Sequence, residues 1–233
     1  ALFIGIKAIE FSASKAYEEE DGKKLNPVTI GFTIGLSVIL GIALFILLPL
    51  YATKLLGGIF ISVSKSSFMF NFVDGIIRIL FFLTYIVSIG MWKEMRRIFE
   101  YHGAEHKVIH AYENGKELTV KNIKGNSPLH PRCGTSFLLI VMVISILTFS
   151  FIPQTWSFTY KFLSRIVLIP LIAGLSFEFL KLSSKMKNNM IIKILIQPGL
   201  LLQRLTTREP DDSQIEVAVR ALEEVLTIEE ANA

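Results

Sequence analysis

The sequence predicts an all-α fold: a polytopic integral membrane bundle of about four transmembrane helices, accompanied by cytoplasmic and interfacial helices. Apolar residues make up 52% of the 233 residues, Phe alone contributes 18, and the apolar residues occur in long blocks. The block from Val28 to Leu48 has no charged residue over 21 positions, which is enough to cross a hydrocarbon core of about 30 Å. The single cysteine excludes an internal disulfide framework, and a net charge of +4 is too small and too dispersed to predict nucleic-acid binding.

The first 27 residues are expected to form a helix followed by a loop. Residues 2–17 carry apolar side chains at helical spacing, which predicts an amphipathic helix at the membrane interface or one packed on the protein's own cytoplasmic face. The charged run from Glu18 to Lys24 is predicted to be a solvated loop. The chain begins at Ala1 without a signal-peptide pattern, so we expect a further N-terminal segment to precede it.

A first transmembrane hairpin is predicted over residues 28–92. Its two spans are Val28 to Leu48, which Pro49 is expected to end, and about Phe70 to Trp92. A short interfacial helix is expected in the connection between them.

Asp74 and Arg78 lie four residues apart near the start of the second span. On a helix they are neighbours, so we expect them to pair, which lowers the free-energy cost of placing charges near the membrane boundary. The sequence leaves open whether this helix continues past Trp92 into the histidine-rich segment.

A second transmembrane hairpin is predicted over residues 136–182. Its spans are about Phe137 to Ile152, which Pro153 ends, and about Phe162 to Leu182. The pattern therefore predicts an even number of crossings.

The remaining segments are more polar. Residues 93–135 are predicted to be a cytoplasmic His/Cys loop, and residues 183–233 an interfacial segment followed by a cytoplasmic helix. Pro198 interrupts the stretch from Met190 to Leu205, which favours an interfacial or re-entrant segment over a fifth crossing. Ser213–Glu216 has the capping-box pattern that opens a soluble helix.

The basic residues predict the orientation. Nineteen Lys and Arg residues lie before Val28, between Met91 and Ser136, and from Lys181 onward. The two opposite loops hold only four, namely Lys54, Lys65, Lys161 and Arg165. By the positive-inside rule both termini and the His/Cys loop are expected to be cytoplasmic, in a multi-pass protein of the cytoplasmic (inner) membrane.

All four histidines and the one cysteine lie within 32 residues, from His102 to Cys133. His102 and His106 share one helix face, and with Glu105 they form the pattern H-x-x-E-H, in which two histidines hold zinc and the glutamate is a general base. His130 and Cys133 could complete a four-ligand set, or one of them could bind and leave a position for water. The alternative is a set of ordinary hydrogen-bonded histidines.

Further residues are expected near the site as substrate-binding or supporting groups. His110 lies about 12 Å along the helix from His102, too far for both to join His106 at one ion. Glu178 in the fourth span is expected either to reach the metal or to pair with Lys181 at the headgroup level. The whole supporting set is His110, Lys107, Arg132, Glu178 and Lys181.

Several stretches, spread over about half of the chain, resemble the YqhQ-like family of bacterial membrane proteins, a domain of unknown function. They are Tyr101–Lys107, His130–Ser136, Glu178 with Lys181, Pro198–Gly199, Gln203–Thr207, Arg208–Asp212 and Glu216–Ala218. The resemblance implies a multi-span cytoplasmic-membrane protein with a metal, and no known substrate. Family members carry a glycine-rich segment upstream that this sequence does not contain, so we expect part of the site to lie outside it.

Two functions are consistent with these residues. The first is a metal-dependent membrane hydrolase with a divalent metal, zinc, at the cytoplasmic face, acting on a peptide bond or a lipid headgroup. The second is a non-catalytic scaffold or assembly factor, in which the metal or a hydrogen-bonded cluster pins the loop and the terminal helices bind a membrane-protein or peptide partner. Membrane lipids are expected neighbours in both, and a transporter is disfavoured because the spans hold few charges.

Overall fold

The computed structural model of the protein describes residues 2–21, 26–153, 155–185 and 190–232, and over these residues it contains helices and no strand. The predicted all-α class is therefore confirmed. Two compact units divide the chain, Ala1–Leu48 and Pro49–Ala233. The helices are α1 Leu2–Asp21, α2 Pro27–Ile42, α3 Leu48–Ile59, α4 Ile61–Ser64, α5 Ser67–Ile89, α6 Lys93–Glu113, α7 Val120–Lys124, α8 Gly134–Phe149, α9 Phe158–Lys185, α10 Met190–Thr206 and α11 Asp212–Asn232, with a π-helical turn Ala43–Leu47 before α3.

The first unit contains α1, α2 and the π-helical turn. The predicted N-terminal helix is present, but it continues to Asp21, so residues 18–21 are helical and not part of a loop. Glutamate is a good helix former, and nothing breaks the pattern before Gly22. The rest of the predicted loop, residues 22–25, lies outside the described residues. Asn26 begins α2 by accepting a hydrogen bond from the Val28 amide at 3.0 Å.

Pro49 does not end the first apolar helix, and this prediction was wrong. The helix α3 begins at Leu48, includes Pro49 and ends at Ile59. A proline inside a regular α-helix clashes with the carbonyl four residues back. Here the preceding turn is π-helical, with the Leu48 amide bonded to the carbonyl of Ala43 five residues back. The wider turn gives the proline ring room, so the chain stays helical.

Three of the described helices are long and apolar enough to cross a membrane: Val28–Ile59, Ser67–Ile89 and Phe158–Ser183. The predicted third span is α8, which has 16 residues. At 1.5 Å per residue α8 is about 24 Å long, shorter than a hydrocarbon core of about 30 Å. The described residues therefore contain three full-length candidates and one shorter apolar helix, and the predicted third span was already the shortest of the four.

The structure answers one question that the sequence left open and differs from one prediction in detail. A turn at residues 90–92 separates α5 from α6, so the histidine-rich segment is a helix of its own. Pro198 lies inside α10 and does not interrupt it, and α10 packs chiefly on α8. The expected short helix between the first two spans is present as α4.

The helix α11 begins two residues before the predicted start. Asp211 accepts a hydrogen bond from the Gln214 amide at 2.9 Å, and the Gln214 side chain accepts one from the Asp211 amide at 2.9 Å. This reciprocal pair is a capping box, and it replaces the predicted Ser213–Glu216 box. The Ser213 hydroxyl instead donates to the Asp211 carboxylate at 2.7 Å, so it supports the cap.

A buried charge network joins α5, α8 and α9. The predicted Asp74–Arg78 pair is confirmed at 2.8 Å, and Arg165 of α9 contacts the same Asp74 oxygen at 3.1 Å. Arg78 also donates to the Ser145 hydroxyl at 3.1 Å, and Arg165 donates to the Asn71 side chain at 2.9 Å. Arg165, which the sequence placed in an outer loop, has no exposed surface. It links α9 to α5 inside the helical bundle.

We predict that Asp74→Asn lowers the free energy of unfolding by about 3–5 kcal/mol, because two arginines lose their shared counter-ion in a buried site. The matched control is Asp212→Asn, which removes an exposed pair with Lys124 and should change stability by less than about 1 kcal/mol. Denaturant titration of the detergent-solubilised protein measures both. Equal stability of the two variants would show that the network does not hold the helices together.

Candidate metal centre

Helix α6 supplies one wall of a cavity of about 510 Å³ and is anchored through its opposite face. The residues of α6 that line the cavity lie on one face of the helix, and they are His102, Glu105, His106, Ile109 and Glu113. The other face is apolar and forms a buried cluster with α7 and α11, comprising Ala104, Val108, Ala111, Ile123 and Ile215. This packing fixes the rotation of α6, so the histidines must face the cavity.

Main-chain carbonyls orient the two histidine rings. His102 Nδ1 lies 2.8 Å from the Thr206 carbonyl, and His106 Nδ1 lies 2.6 Å from the Pro128 carbonyl. A carbonyl oxygen only accepts, so each Nδ1 carries the proton and each ring can present Nε2 as a ligand. His102 Nε2 lies 3.2 Å from Cys133 Sγ. One ligand atom from each of His102, His106 and Cys133 fits within 4.8 Å of the others.

Cys133 is held at the beginning of α8. It is the residue that caps this helix, and its sulfur accepts a hydrogen bond from the Thr135 amide at 3.4 Å. The loop before it is clamped by the buried side chain of Gln203, whose oxygen accepts from the His130 amide at 2.7 Å. The Gln203 amide group donates to the His130 carbonyl at 2.7 Å and to the Ser136 hydroxyl at 2.8 Å. Gln203 of α10 therefore positions both ends of the cysteine loop.

The environment favours the thiolate form of Cys133. Burial raises the pKa of the thiol, but hydrogen bonds with His102, His106 and Thr135 outweigh it and lower the pKa to about 5. For His102, burial lowers the pKa, while the hydrogen bonds to Cys133 and to the Thr206 carbonyl raise it above its usual value. In the metal-free protein, a thiolate therefore lies beside an imidazole that readily takes a proton.

The segment Thr207–Asp211, which we call the strap, connects α10 to α11 across the surface of α6. The Arg208 amide donates to the Phe99 carbonyl at 2.9 Å. At Gly103, a Cβ atom would lie 2.0 Å from the Arg208 carbonyl oxygen, so only glycine allows this approach. The strap leads directly from Thr206, whose carbonyl orients His102. Gly103 thus matters for the geometry of the site without contributing a side chain.

Lys107 lies on the strap side of α6, away from the cavity lining. Its buried ammonium group pairs with Glu209 of the strap and donates to the Lys124 carbonyl at 2.7 Å. The predicted role of Lys107 near a substrate thus has no support in its position. It joins the strap to α7.

His130, Arg132 and Glu113 form a second group beside the candidate ligand atoms of His102, His106 and Cys133. His130 Nδ1 accepts from the Arg132 amide at 3.3 Å, and His130 Nε2 lies 3.5 Å from Glu113. Arg132 pairs with the same Glu113, and all three line the cavity. His110 donates to the Leu129 carbonyl at 2.8 Å, with its ring 4.8 Å from that of His130. His130 is therefore placed next to the His102, His106 and Cys133 group, but outside it.

The carboxylates predicted for the site are in two different places. Glu105 is exposed and lines the cavity, one position before His106. Glu178 and Lys181 lie on the exposed surface of α9 and do not line the cavity. The expectation that a carboxylate from the fourth span approaches the metal has no support in this arrangement.

Sequence reasoning missed Glu113 and Gln203. Glu113 follows His106 by seven residues and His102 by eleven, so its place on the same helix face was readable from the spacing. Gln203 gave no such signal, because its partners lie 67 and 73 residues away in the chain. It was noted only within a stretch that resembles a known family.

A comparison with known families decides the relationship. The family described as "Protein of unknown function (DUF1385)" matches residues 1–228. The chain belongs to this family. The Bacillus subtilis (strain 168) protein named "Uncharacterized protein YqhQ" is 34% identical over 215 residues, which cover 91% of this chain. The chain spans 66% of the length of that DUF1385 relative, and no solved structure matches the chain.

The family assignment confirms the resemblance seen in the sequence. Neither the description of the DUF1385 family nor the name of the relative states a metal, a substrate or an activity. The functional argument for this member of the family therefore depends on its own residues.

We predict that alkylation of Cys133 by iodoacetamide, after metal removal, rises with pH through an inflection near 5 and is level above it. Cys133 is the only cysteine, so the label reports on this site alone. His102→Gln removes a hydrogen bond to the sulfur and should move the inflection toward the ordinary thiol value of 9.0. His110→Gln is the matched control and should leave it unchanged. An inflection near 9 in the unmodified protein would contradict this account.

We also predict that Gly103→Ala destabilises the protein by about 1–3 kcal/mol and lowers its metal content, because the added methyl group displaces the strap. Gly174→Ala in α9 is the control, since a Cβ atom there meets nothing within 4 Å. Unfolding of the detergent-solubilised variants measures the first effect and elemental analysis the second. A Gly103→Ala protein as stable as the control would contradict the close contact with Arg208.

Proposed function

We propose that the protein is a metal-dependent membrane hydrolase in which His102, His106 and Cys133 hold a divalent ion, zinc, at the cytoplasmic face of the inner membrane. The observation that carries the proposal is the orientation of the two rings. Each Nδ1 donates to a main-chain carbonyl, which leaves both Nε2 atoms for a ligand beside a sulfur that is a thiolate at neutral pH. Zinc sites in proteins have this arrangement of ligands and supporting carbonyls.

The number of ligands supports a catalytic site over a closed one. Structural zinc sites use four protein ligands, whereas catalytic sites use three and keep one position open. His130, the candidate for the fourth ligand, hydrogen-bonds through Nδ1 to a neighbouring amide and faces Glu113 through Nε2. With this set of three ligands, one coordination position would remain open for water.

The residues around the cavity suggest how hydrolysis would proceed. Zinc bound there would supply Lewis-acid activation of water. Glu105 is the candidate to take the proton of the attacking water and pass it to the leaving group. Arg132 and His130 line the same cavity and would stabilise negative charge that develops on the substrate, with Glu113 holding both in place.

Composition supports a location of the site at the inner face of the cytoplasmic membrane. Three helices have the length and apolarity of membrane spans, and the excess of basic residues on the side of the His/Cys segment favours the cytoplasm. Access to the site would then be from the cytosol or from the inner leaflet.

A second candidate function is a non-catalytic scaffold, and one observation favours it. The C-terminal helix α11 packs on α6 through one face and exposes large apolar side chains on another, among them Val217, Val225 and Ile228 at 53–60% exposure. Such a surface could bind a membrane-protein or peptide partner. In that case the metal would only fix the loop.

Cobalt substitution tests the proposal without knowledge of the substrate. We predict one ion per chain and a thiolate-to-cobalt charge-transfer band, both lost in Cys133→Ser and in His106→Gln. Glu105→Gln and the control His110→Gln should keep the ion and the band. Added azide should perturb the cobalt spectrum, because an open position accepts it.

The two functions differ in this experiment. A spectrum that azide does not change would indicate four protein ligands and favour the scaffold. Absence of any bound ion in the purified and the reconstituted protein would overturn both metal-based accounts.

A further inference from the structure

An apolar groove of about 530 Å³ lies among α8, α9 and α10. Nearly all of its lining is hydrocarbon, and the side chains that form its walls include Leu139, Val143, Phe179 and Ile194. Val143 and Ile194 are about half exposed or more. The groove is open along its length, and it is separate from the polar cavity of the proposed metal centre.

One short loop borders both spaces. Pro131 and Ser136 line the groove, whereas the intervening residues Arg132, Cys133 and Gly134 line the polar cavity. The segment 131–136 therefore contributes residues to the polar cavity and to the apolar groove. A molecule that occupies both spaces must have a polar end at the site and an apolar tail in the groove.

The length of the groove along α8 is close to the thickness of one membrane leaflet. Along α8 it extends from Ser136 to Leu147, eleven residue steps, which is about 16 Å of helix. Half of a hydrocarbon core of about 30 Å is about 15 Å. An extended acyl chain that begins at the headgroup level thus reaches the far end of the groove near the middle of the bilayer.

We propose that the groove binds one acyl chain of a membrane phospholipid and that its phosphate-bearing headgroup lies in the polar cavity. This rests on the proposed function, and it makes a phospholipid the substrate class of the hydrolase. Arg132 is a suitable partner for the phosphate, because its guanidinium lines the cavity beside the loop that borders the groove.

The size and polarity of the two spaces both suit a single lipid molecule. Ligand pockets of about 300–1,000 Å³ hold single small molecules. The polar cavity is lined by three histidines, Arg132 and the carboxylates Glu105 and Glu113, so it suits a polar headgroup better than an apolar peptide.

The reaction balances with water as the second reactant. The water oxygen forms a bond to the carbonyl carbon or the phosphorus of one ester, and the ester bond to the leaving oxygen breaks. The proton that Glu105 takes from the water is returned to that oxygen, so an acid and an alcohol leave. No oxidant or reductant is needed.

The test uses the full chain in nanodiscs that contain phosphatidylglycerol with a photoactivatable diazirine in one acyl chain. After illumination, mass spectrometry maps the labelled residues. We expect labelling of groove residues such as Leu139, Val143 and Phe179 to be several-fold higher than labelling of Val167, which is exposed on α9 outside the groove. Even labelling of all exposed apolar faces would show ordinary surrounding lipid only and would overturn the proposal.

A matched pair of variants sharpens the result. Val143→Trp fills the groove and should reduce the labelling of Leu139 and Phe179, while Val167→Trp should not. If Val143→Trp fails to fold, the labelling map of the unmodified protein still decides. Groove residues that stay unlabelled while Val167 is labelled would also overturn the proposal.

The outcome is separable from that of the hydrolase proposal. Cys133→Ser, which should lose the metal, is expected to keep the labelling in the groove because its walls are untouched. The groove could be labelled although no metal binds, or although the zinc-loaded protein does not cleave the labelled lipid. Either result would support lipid binding and contradict the hydrolase proposal. Cleavage that is lost in Glu105→Gln, together with groove labelling, would support both.

Discussion

The hydrogen bonds from His102 and His106 to two main-chain carbonyls are the constraint around which the site is arranged. A neutral imidazole has one N–H, so a carbonyl partner at Nδ1 fixes the tautomer and leaves Nε2 as a lone-pair donor. The same contact stops rotation of the ring. Because the carbonyls of Thr206 and Pro128 belong to segments far from α6 in the chain, the orientation of each ring depends on tertiary structure.

The structure holds those segments in place with buried polar contacts. Gln203 fastens α10 to the cysteine loop, the Arg208 amide fastens the strap to Phe99, and Lys107 fastens the strap to α7. A buried polar side chain is stabilising only when its hydrogen bonds are made, and an incomplete set costs about 1–3 kcal/mol per group. The contacts of Gln203 and Lys107 therefore stabilise the strap in only one position on α6. The long recognisable stretch that follows Gln203 is explained as support for the metal centre.

The sequence predicted what depends on neighbours in the chain. His102 with His106, and Asp74 with Arg78, are each four residues apart, and helical geometry alone brings them together. It could not predict Arg165 as the second partner of Asp74, because the two are 91 residues apart and the hydropathy of α9 gives no register between helices. The other errors arose where two local features could each determine where a helix begins or ends. Asp211 and Ser213 could each cap α11, and a π-helical turn before Pro49 cancels the signal of the proline.

Helix α8 connects the two polar regions of the molecule, and its packing explains how one short helix can position Cys133. Close approaches fix it near both ends: a Cβ atom at Gly199 would lie 2.8 Å from the Ser136 hydroxyl, and one at Gly75 would lie 2.1 Å from Ile146. Hydrogen bonds from Gln203 to Ser136 and from Arg78 to Ser145 act at the same two levels.

These contacts do not involve the middle of α8. There, Leu139 and Val143 line the apolar groove. A helix tied at two levels about 13 Å apart resists both sliding and tilting, since either motion breaks a polar contact at one end. The cysteine at its N-terminus therefore keeps its distance from α6 even when the groove is filled or emptied. In the proposed hydrolase, this separation would let an apolar ligand enter beside the site without moving the sulfur.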